Sequence, residues 1–396
     1  MNITIRKKIF SVLAVSFLAT SAFSVEWGGL LDNDSTVKGN KFSKDALVFD
    51  QKDTASLWIR APFNDEGSSY FTAEGTYQFE KNFPFDSEAP SEDATNYIDL
   101  DLFKFVFAKE IGDSKITTSV GRFFVSDLSS AVYTQNSDGV LFSYEGLLNF
   151  SVYGGYTGLL NGNMVSIMGP ESFVVDSEKN YDFADKYIVG IGNVVFRNVF
   201  ANQDLSAEFM GTFRLADESY NRMYGTLSLA GPLPSGLYYG VSSTVGFVKF
   251  DAEDMKIGNL SKLYLSYYSD FKSASITLNG TYASGKQGPF DPFKGFTKST
   301  AVNSLNEEDY SSLVLGGLTA TIKPVYNLLV TCSFDFANFF EVEGFAESHK
   351  GIQYKIGANW QLFSDVLLGL NFGQYHDFDI EEENKVSAQL KAVITF

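Results

Sequence analysis

Cysteine, histidine and proline are scarce in this chain: its 396 residues include one cysteine (Cys332), two histidines (His349 and His376) and nine prolines. A single thiol excludes a disulfide scaffold and a thiolate metal site. Zinc hydrolysis needs several ligands at set spacings, and neither histidine stands in an HExxH frame. There is no P-loop, no GxGxxG after a strand and no nucleophile elbow. Gly154-Gly155 and Gly316-Gly317 read as places where strands bend. His376-Asp377 is the one adjacent pair a hydrolase could use, and both histidines fall in expected loops. No catalytic residue, cofactor or metal is therefore expected. Positive charge is also short: 30 Lys+Arg stand against 48 Asp+Glu, a formal net charge of −18. Such a field excludes a nucleic-acid footprint. Mean hydropathy of −0.05 excludes both a polytopic helical membrane protein and a disordered acidic chain. Past residue 24 no run of about 18 apolar residues occurs, so no transmembrane helix is expected.

Aromatics and glycine are abundant, with 38 Phe, 21 Tyr and 34 Gly. That composition suits a β protein. At the N-terminus, Arg6, Lys7 and Lys8 precede an apolar segment from Ile9 to Ala19 that is too short to span a bilayer. Ala22 and Ser24 then supply a small-x-small site, so 1–24 reads as a cleaved signal peptide and 25–396 as a single exported domain. No cysteine near Ser24 provides for a lipid anchor.

Period-2 patterning dominates the exported part. In 70–80, Phe71, Ala73, Gly75, Tyr77 and Phe79 oppose Thr72, Glu74, Thr76, Gln78 and Glu80. In 205–215, Ala207, Phe209, Gly211 and Phe213 oppose Ser206, Glu208, Met210, Thr212 and Arg214. Residues 273–282, 352–362 and 386–396 repeat the pattern, with Leu278, Ile356 and Leu390 on the apolar face and Asn279, Lys355, Asn359, Gln389 and Lys391 opposite. No charged residue stands on the apolar face of these segments. Alternation over about ten residues exceeds an ordinary strand and matches the length that crosses a bilayer at a steep tilt.

Less regular strands are expected near 54–61, 97–110, 115–125, 139–146, 149–157, 187–198, 222–230, 237–249, 260–268, 311–322, 327–337 and 366–375. Glu26 to Leu31 is a weaker candidate. A bulge is expected at Leu102-Phe103, where the apolar phase switches. Connections alternate in length. Ile111-Gly112-Asp113-Ser114 and Phe363-Ser364-Asp365 are short, whereas 158–186 and 283–310 are long. A propeller or sandwich has no reason to sort its connections by parity. The expected fold is an all-β transmembrane antiparallel up-and-down β-barrel of 16–18 strands, with short periplasmic turns and long outer loops.

The last strand is similar to that of bacterial outer-membrane β-barrel proteins, which typically end on an aromatic read by the barrel-assembly machinery. Phe396 is the terminal aromatic here, Ile394 the hydrophobic residue two before it and Gln389 the upstream polar position, while Lys391 stands where the family usually has glycine. The resemblance is porin-like. It implies the outer membrane of a diderm bacterium, lipid contact, assembly through the C-terminal strand, and a channel for passive diffusion of small hydrophilic solutes or ions. It does not extend to a named subfamily. A structural or adhesive barrel with a blocked lumen is the alternative, a barrel enzyme a third possibility and a secreted soluble β protein a fourth.

On the strands, the expected lumen-facing residues are Glu74, Thr76, Glu208, Arg214, Asn279, Lys355, Asn359 and Lys391, with acids and bases in balance. Asp99, Asp101, Lys104, Arg122 and Glu145 form either pore-lining ladders or a salt-bridged plug. Counted from strand 70–80, connection 158–186 is the third long loop. In general porins that loop folds into the lumen, so the resemblance implies a constriction here. Met164 to Met168 and Phe173 to Val175 are apolar for an outer loop and flank Gly169-Pro170. An inward fold would leave Glu171, Asp176, Glu178, Lys179 and Asp182 to meet the solute and favour cations; the loop 283–310 competes for the same role.

Overall fold

A computed structural model describes residues 25–40, 46–86, 94–170, 173–251, 254–285, 289–298, 311–340, 348–380 and 384–396. The expected signal peptide lies outside the described residues, as does Glu171. The first six strands are β1 (Glu26–Gly39), β2 (Leu47–Pro62), β3 (Tyr70–Pro84), β4 (Thr95–Ile111), β5 (Ser114–Ser126) and β6 (Thr134–Glu145). Next come β7 (Asn149–Tyr156), β8 (Tyr187–Phe200), β9 (Gln203–Arg214), β10 (Tyr220–Leu233), β11 (Leu237–Phe250) and β12 (Lys256–Ser269). The last six are β13 (Ala274–Ala283), β14 (Leu313–Val325), β15 (Leu328–Phe339), β16 (His349–Phe363), β17 (Val366–Asp377) and β18 (Lys385–Thr395). Each pairs antiparallel with its neighbours in sequence. β1 also pairs with β18, so the sheet is a closed 18-stranded up-and-down barrel. Closure leaves neither end strand of the sheet as an edge. Gly29 and Phe396 exchange backbone hydrogen bonds of 2.9 and 3.1 Å at the seam.

The weak segment at 26–31 is the start of β1. The bulge comes one residue before its expected place, because the β3–β4 register skips Asp101. At one end of the barrel the turns are tight. Gly112-Asp113, Ala201-Asn202, Tyr326-Asn327 and Ser364-Asp365 are two-residue connections. Ala201 (φ 47°) and Asn202 (φ 62°) take the left-handed conformation that such hairpins need. The two longest connections, 157–186 and 284–312, lie at the other end.

Alternation sorts the side chains. Phe209, Leu278, Ile356 and Leu390 point outward and are 50–60 % exposed, as a wall meeting lipid requires. Glu208, Met210 and Thr212 point inward and are buried. The hydrophobic core lies inside the barrel, in its loop-side half. Phe123, Tyr133, Tyr153, Tyr187, Tyr224, Phe293, Phe296 and Phe339 pack there.

Candidate functional site: a lumen narrowed by three loops

One hairpin leaves the wall. The β4–β5 ladder ends at Phe103 and Arg122, and the β6–β7 ladder ends at Asp138 and Tyr156. The β5–β6 ladder continues past both points to Ser126 and Thr134, so this hairpin tip runs on without a strand neighbour on either side. Its departure begins at Gly121, whose φ of +121° no other residue tolerates and whose Cβ would meet the Phe103 carbonyl oxygen. The tip carries the connection 127–133 into the lumen. Asp127 folds that loop by accepting backbone N–H bonds from Val132 (3.0 Å) and Tyr133 (2.8 Å). Across the lumen, Leu128 donates its N–H to Glu208 (2.9 Å) and Lys262 donates to the Ser129 carbonyl (3.1 Å).

Two further connections meet it. The stretch 289–298 between β13 and β14 enters with Phe293 and Phe296, both fully buried. The Phe296 and Thr297 amides donate to the Val132 carbonyl, and Met168 of loop 157–186 donates to the Phe296 carbonyl, all at 2.9 Å. Arg222 of β10, fully buried, donates to the Met168 carbonyl and lies over the rings of Tyr220 and Phe296. The Tyr224 hydroxyl donates to the Lys294 carbonyl (2.8 Å). Three loops thus share one hub on the inner faces of β5 to β14.

Strands β1 and β2 make the connection 157–186 the fourth outer one, and 127–133 the third. Parts of both reach the hub, as does the stretch 289–298, so the constriction is composite. Of the two apolar stretches expected to fold inward, 164–168 reaches the hub, where Ile167 bridges Thr297, whereas in 173–175 Val174 is 81 % exposed. The acidic half takes another course, because the notch left by the β5–β6 hairpin draws it outward. The Ile98 amide of β4 donates to the Asn180 carbonyl (3.1 Å), and the Asn161 side chain donates to the Ile98 carbonyl (3.2 Å). Asp176, Glu178, Lys179 and Asp182 therefore cluster on an exposed arm at the rim. Lys179 lies 3.2 Å from both Asp176 and Asp182. Hydrogen bonds to Asp176 and then Asp182 raise the Lys179 pKa above its ordinary value. The Asp176 amide, then Lys179, hold Asp182 below the usual carboxylate range.

Glu74, Thr76, Asn279, Lys355, Asn359 and Lys391 lie on the inward face. Glu208 and Arg214 also point inward but anchor loops: Glu208 holds Leu128, and Arg214 donates to Asp185 of loop 157–186 at 2.8 Å. On the inner wall from β18 through β1 to β3, charges alternate in sign and keep solvent access. Lys391 pairs with Asp32 (2.7 Å), Lys38 with Asp50 (2.6 Å) and Lys52 with Glu80 (3.0 Å). Lys52 and Lys391 are 49 % and 38 % exposed at the side chain. Ile394 and Phe396 lie on the outward face, and the Phe396 ring covers Gly29.

Both histidines lie in strands, not in loops, and His376-Asp377 does not act as a pair because adjacent strand residues face opposite ways. Asp377 instead accepts from His349 Nδ1 at 2.6 Å, deep beside Tyr375, with the imidazole stacked on Phe339. The reading of sequence missed Arg222, Phe293 and Phe296. An arginine on an inward strand face was the available signal; the loop phenylalanines gave none.

No protein-family model matches the chain, and no curated protein matches its sequence. Its structure is similar to a BenF-like porin of Pseudomonas fluorescens Pf-5 (TM-score 0.64, 10% identity, 94% of this chain and 98% of that one). It is also similar to OccK9 (OpdG) of Pseudomonas aeruginosa (TM-score 0.63, 10% identity, 94% and 98%) and to OpdK of the same species with vanillate (TM-score 0.60, 9% identity, 94% and 98%). Over nearly its whole described length, the chain has the porin-like closed-barrel fold of these outer-membrane proteins.

Proposed function

We propose that the protein is an outer-membrane channel through which small hydrophilic solutes or ions diffuse passively. The observation that carries this reading is the divided lumen. Three stitched loops fill the side against β5 to β14, while the opposite wall presents solvated ion pairs from β18, β1, β2 and β3. Charges of both signs on a water-filled wall give weak selectivity and replace part of a solute's hydration. No chemical step is required. Export through the 1–24 signal peptide and assembly through Ile394 and Phe396 by the barrel-assembly machinery complete the reading. The same loop core favours a competing role, a structural barrel with a blocked lumen.

Proteoliposome swelling separates the two. A channel gives swelling in small sugars or amino acids at rates that fall with solute size. Swelling no faster than in protein-free liposomes contradicts it.

A further inference from the structure

The wall itself has a gap. Above the Phe103–Arg122 rung, β5 and β6 bend inward, and the upper part of β4 pairs with β3 on one side only. The stretch from Phe103 to Ile98 rises about 12 Å at the strand pitch and tilt of membrane barrels, in the half nearer the loops. A small hairpin of loop 157–186 fills this notch. Asn161 bridges Phe183, the Gly162 amide donates to the Asp182 carbonyl (2.7 Å), and the Ala184 amide donates to the Leu160 carbonyl (2.9 Å). The hairpin bonds β4 directly at Ile98, through the Asn180 carbonyl and the Asn161 amide. Arg122 closes the foot of the notch.

The chemistry on the two sides of this stopper is continuous. Outside, Ile98, Leu159 and Phe183 are each more than half exposed on the face that meets the membrane. Inside lie Phe123 and Tyr153 of the buried core, edge to face at 5.9 Å. Apolar side chains therefore stand on both sides of the wall at this point, divided by a segment that is hydrogen-bonded as a loop and not as a barrel strand.

We propose that this notch is a lateral port between the lumen and the outer leaflet, passing apolar or amphipathic small molecules when the 159–163 and 180–183 hairpin swings away from β4. This goes beyond the diffusion of hydrophilic solutes along the barrel axis, and the two routes share only the lumen.

A disulfide across the seal tests it. Ile98→Cys with Asn180→Cys, in a Cys332→Ser background, is expressed in cells lacking other porins, with barrel formation checked by heat-modifiable migration. Uptake of the neutral dye N-phenyl-1-naphthylamine and of a small sugar is measured with the pair oxidised and reduced. Oxidation is expected to reduce dye uptake several-fold and leave sugar uptake unchanged. Asn161→Ala, which removes one tie to Ile98, is expected to raise dye uptake alone. Dye uptake that ignores both changes, or that falls in step with sugar uptake, overturns the port. Loss of sugar uptake in the reduced and parental proteins would instead defeat the axial channel.

Discussion

Arg122 and Asp138 face each other at the last complete rung beneath the departing hairpin, joined by two parallel bonds of 2.9 and 2.8 Å. The same guanidinium reaches Asp99 (3.2 Å) and the carbonyls of Leu100 (3.1 Å) and Leu159 (2.6 Å). It thereby ties β4, β5, β6 and loop 157–186 at one point. Removing one member of a buried pair leaves its partner's charge uncompensated, a loss of about 3–5 kcal/mol. Arg122→Ala should lower resistance to urea unfolding by that order, and Arg122→Lys, which cannot form the fork, should rescue only part. Equal stability of all three proteins in urea titrations would show that the pair carries no load.

Outward and inward positions on one strand should respond oppositely to charge. Leu390 is 50 % exposed on the outer wall, whereas Gln389 bonds Asp34 (2.6 Å) and Asn371 (2.8 Å) inside. An arginine near the bilayer midplane costs about 2–4 kcal/mol on the lipid face. Leu390→Arg should reduce the folded barrel recovered from membranes, and Gln389→Arg, beside Asp34, should not. Equal recoveries would refute the phase.

Phe296 is the hub of the three inward loops, stacked on Tyr133 at 5.6 Å and edge-on to Tyr187 at 5.0 Å. Phe296→Ala should loosen the loops from one another, raising conductance and gating noise in single-channel records. Unchanged records would mean that this hub does not set the constriction.

The acidic arm should be insensitive to mild acid. Because Asp182 titrates below its unfolded value, its contribution is complete above the ordinary carboxylate range and is lost only as the pH falls below that range. Lys179, raised, contributes up to its ordinary range and loses its contribution only in stronger alkali. Hydrogen exchange at the Asp176 amide, corrected for intrinsic rate, should stay protected from neutral pH down to the carboxylate range. Loss of protection near neutrality would contradict this assignment.

The barrel was legible because a lipid-facing wall enforces strict alternation, as at Phe209, Leu278, Ile356 and Leu390. It blurred in β1 and β2 for a physical reason. Their outward face there carries Asn33, Ser35, Gln51 and Asp53, which satisfy one another: Asn33 donates to Asp53 (2.6 Å), Ser35 to Gln51 (2.8 Å) and Gln51 to Asp53 (2.8 Å). A binary pattern cannot register polar residues that pair on an outer wall. Among the described residues of loop 157–186, only the 164–168 stretch meets the inward hub. Its acidic half goes to the rim because a notch exists there, and the notch depends on where the β4–β5 and β6–β7 ladders stop. Gly121 marks that point, but among 34 glycines nothing in the sequence sets it apart.

Conduction by the lumen is the central claim, and planar-bilayer recording of the purified full-length barrel tests it most directly. Discrete stepwise conductance increments, with weak ion selectivity set by the ion-paired wall, are expected. Insertion of folded barrels without any conductance step would contradict a channel and leave the blocked, structural barrel in its place.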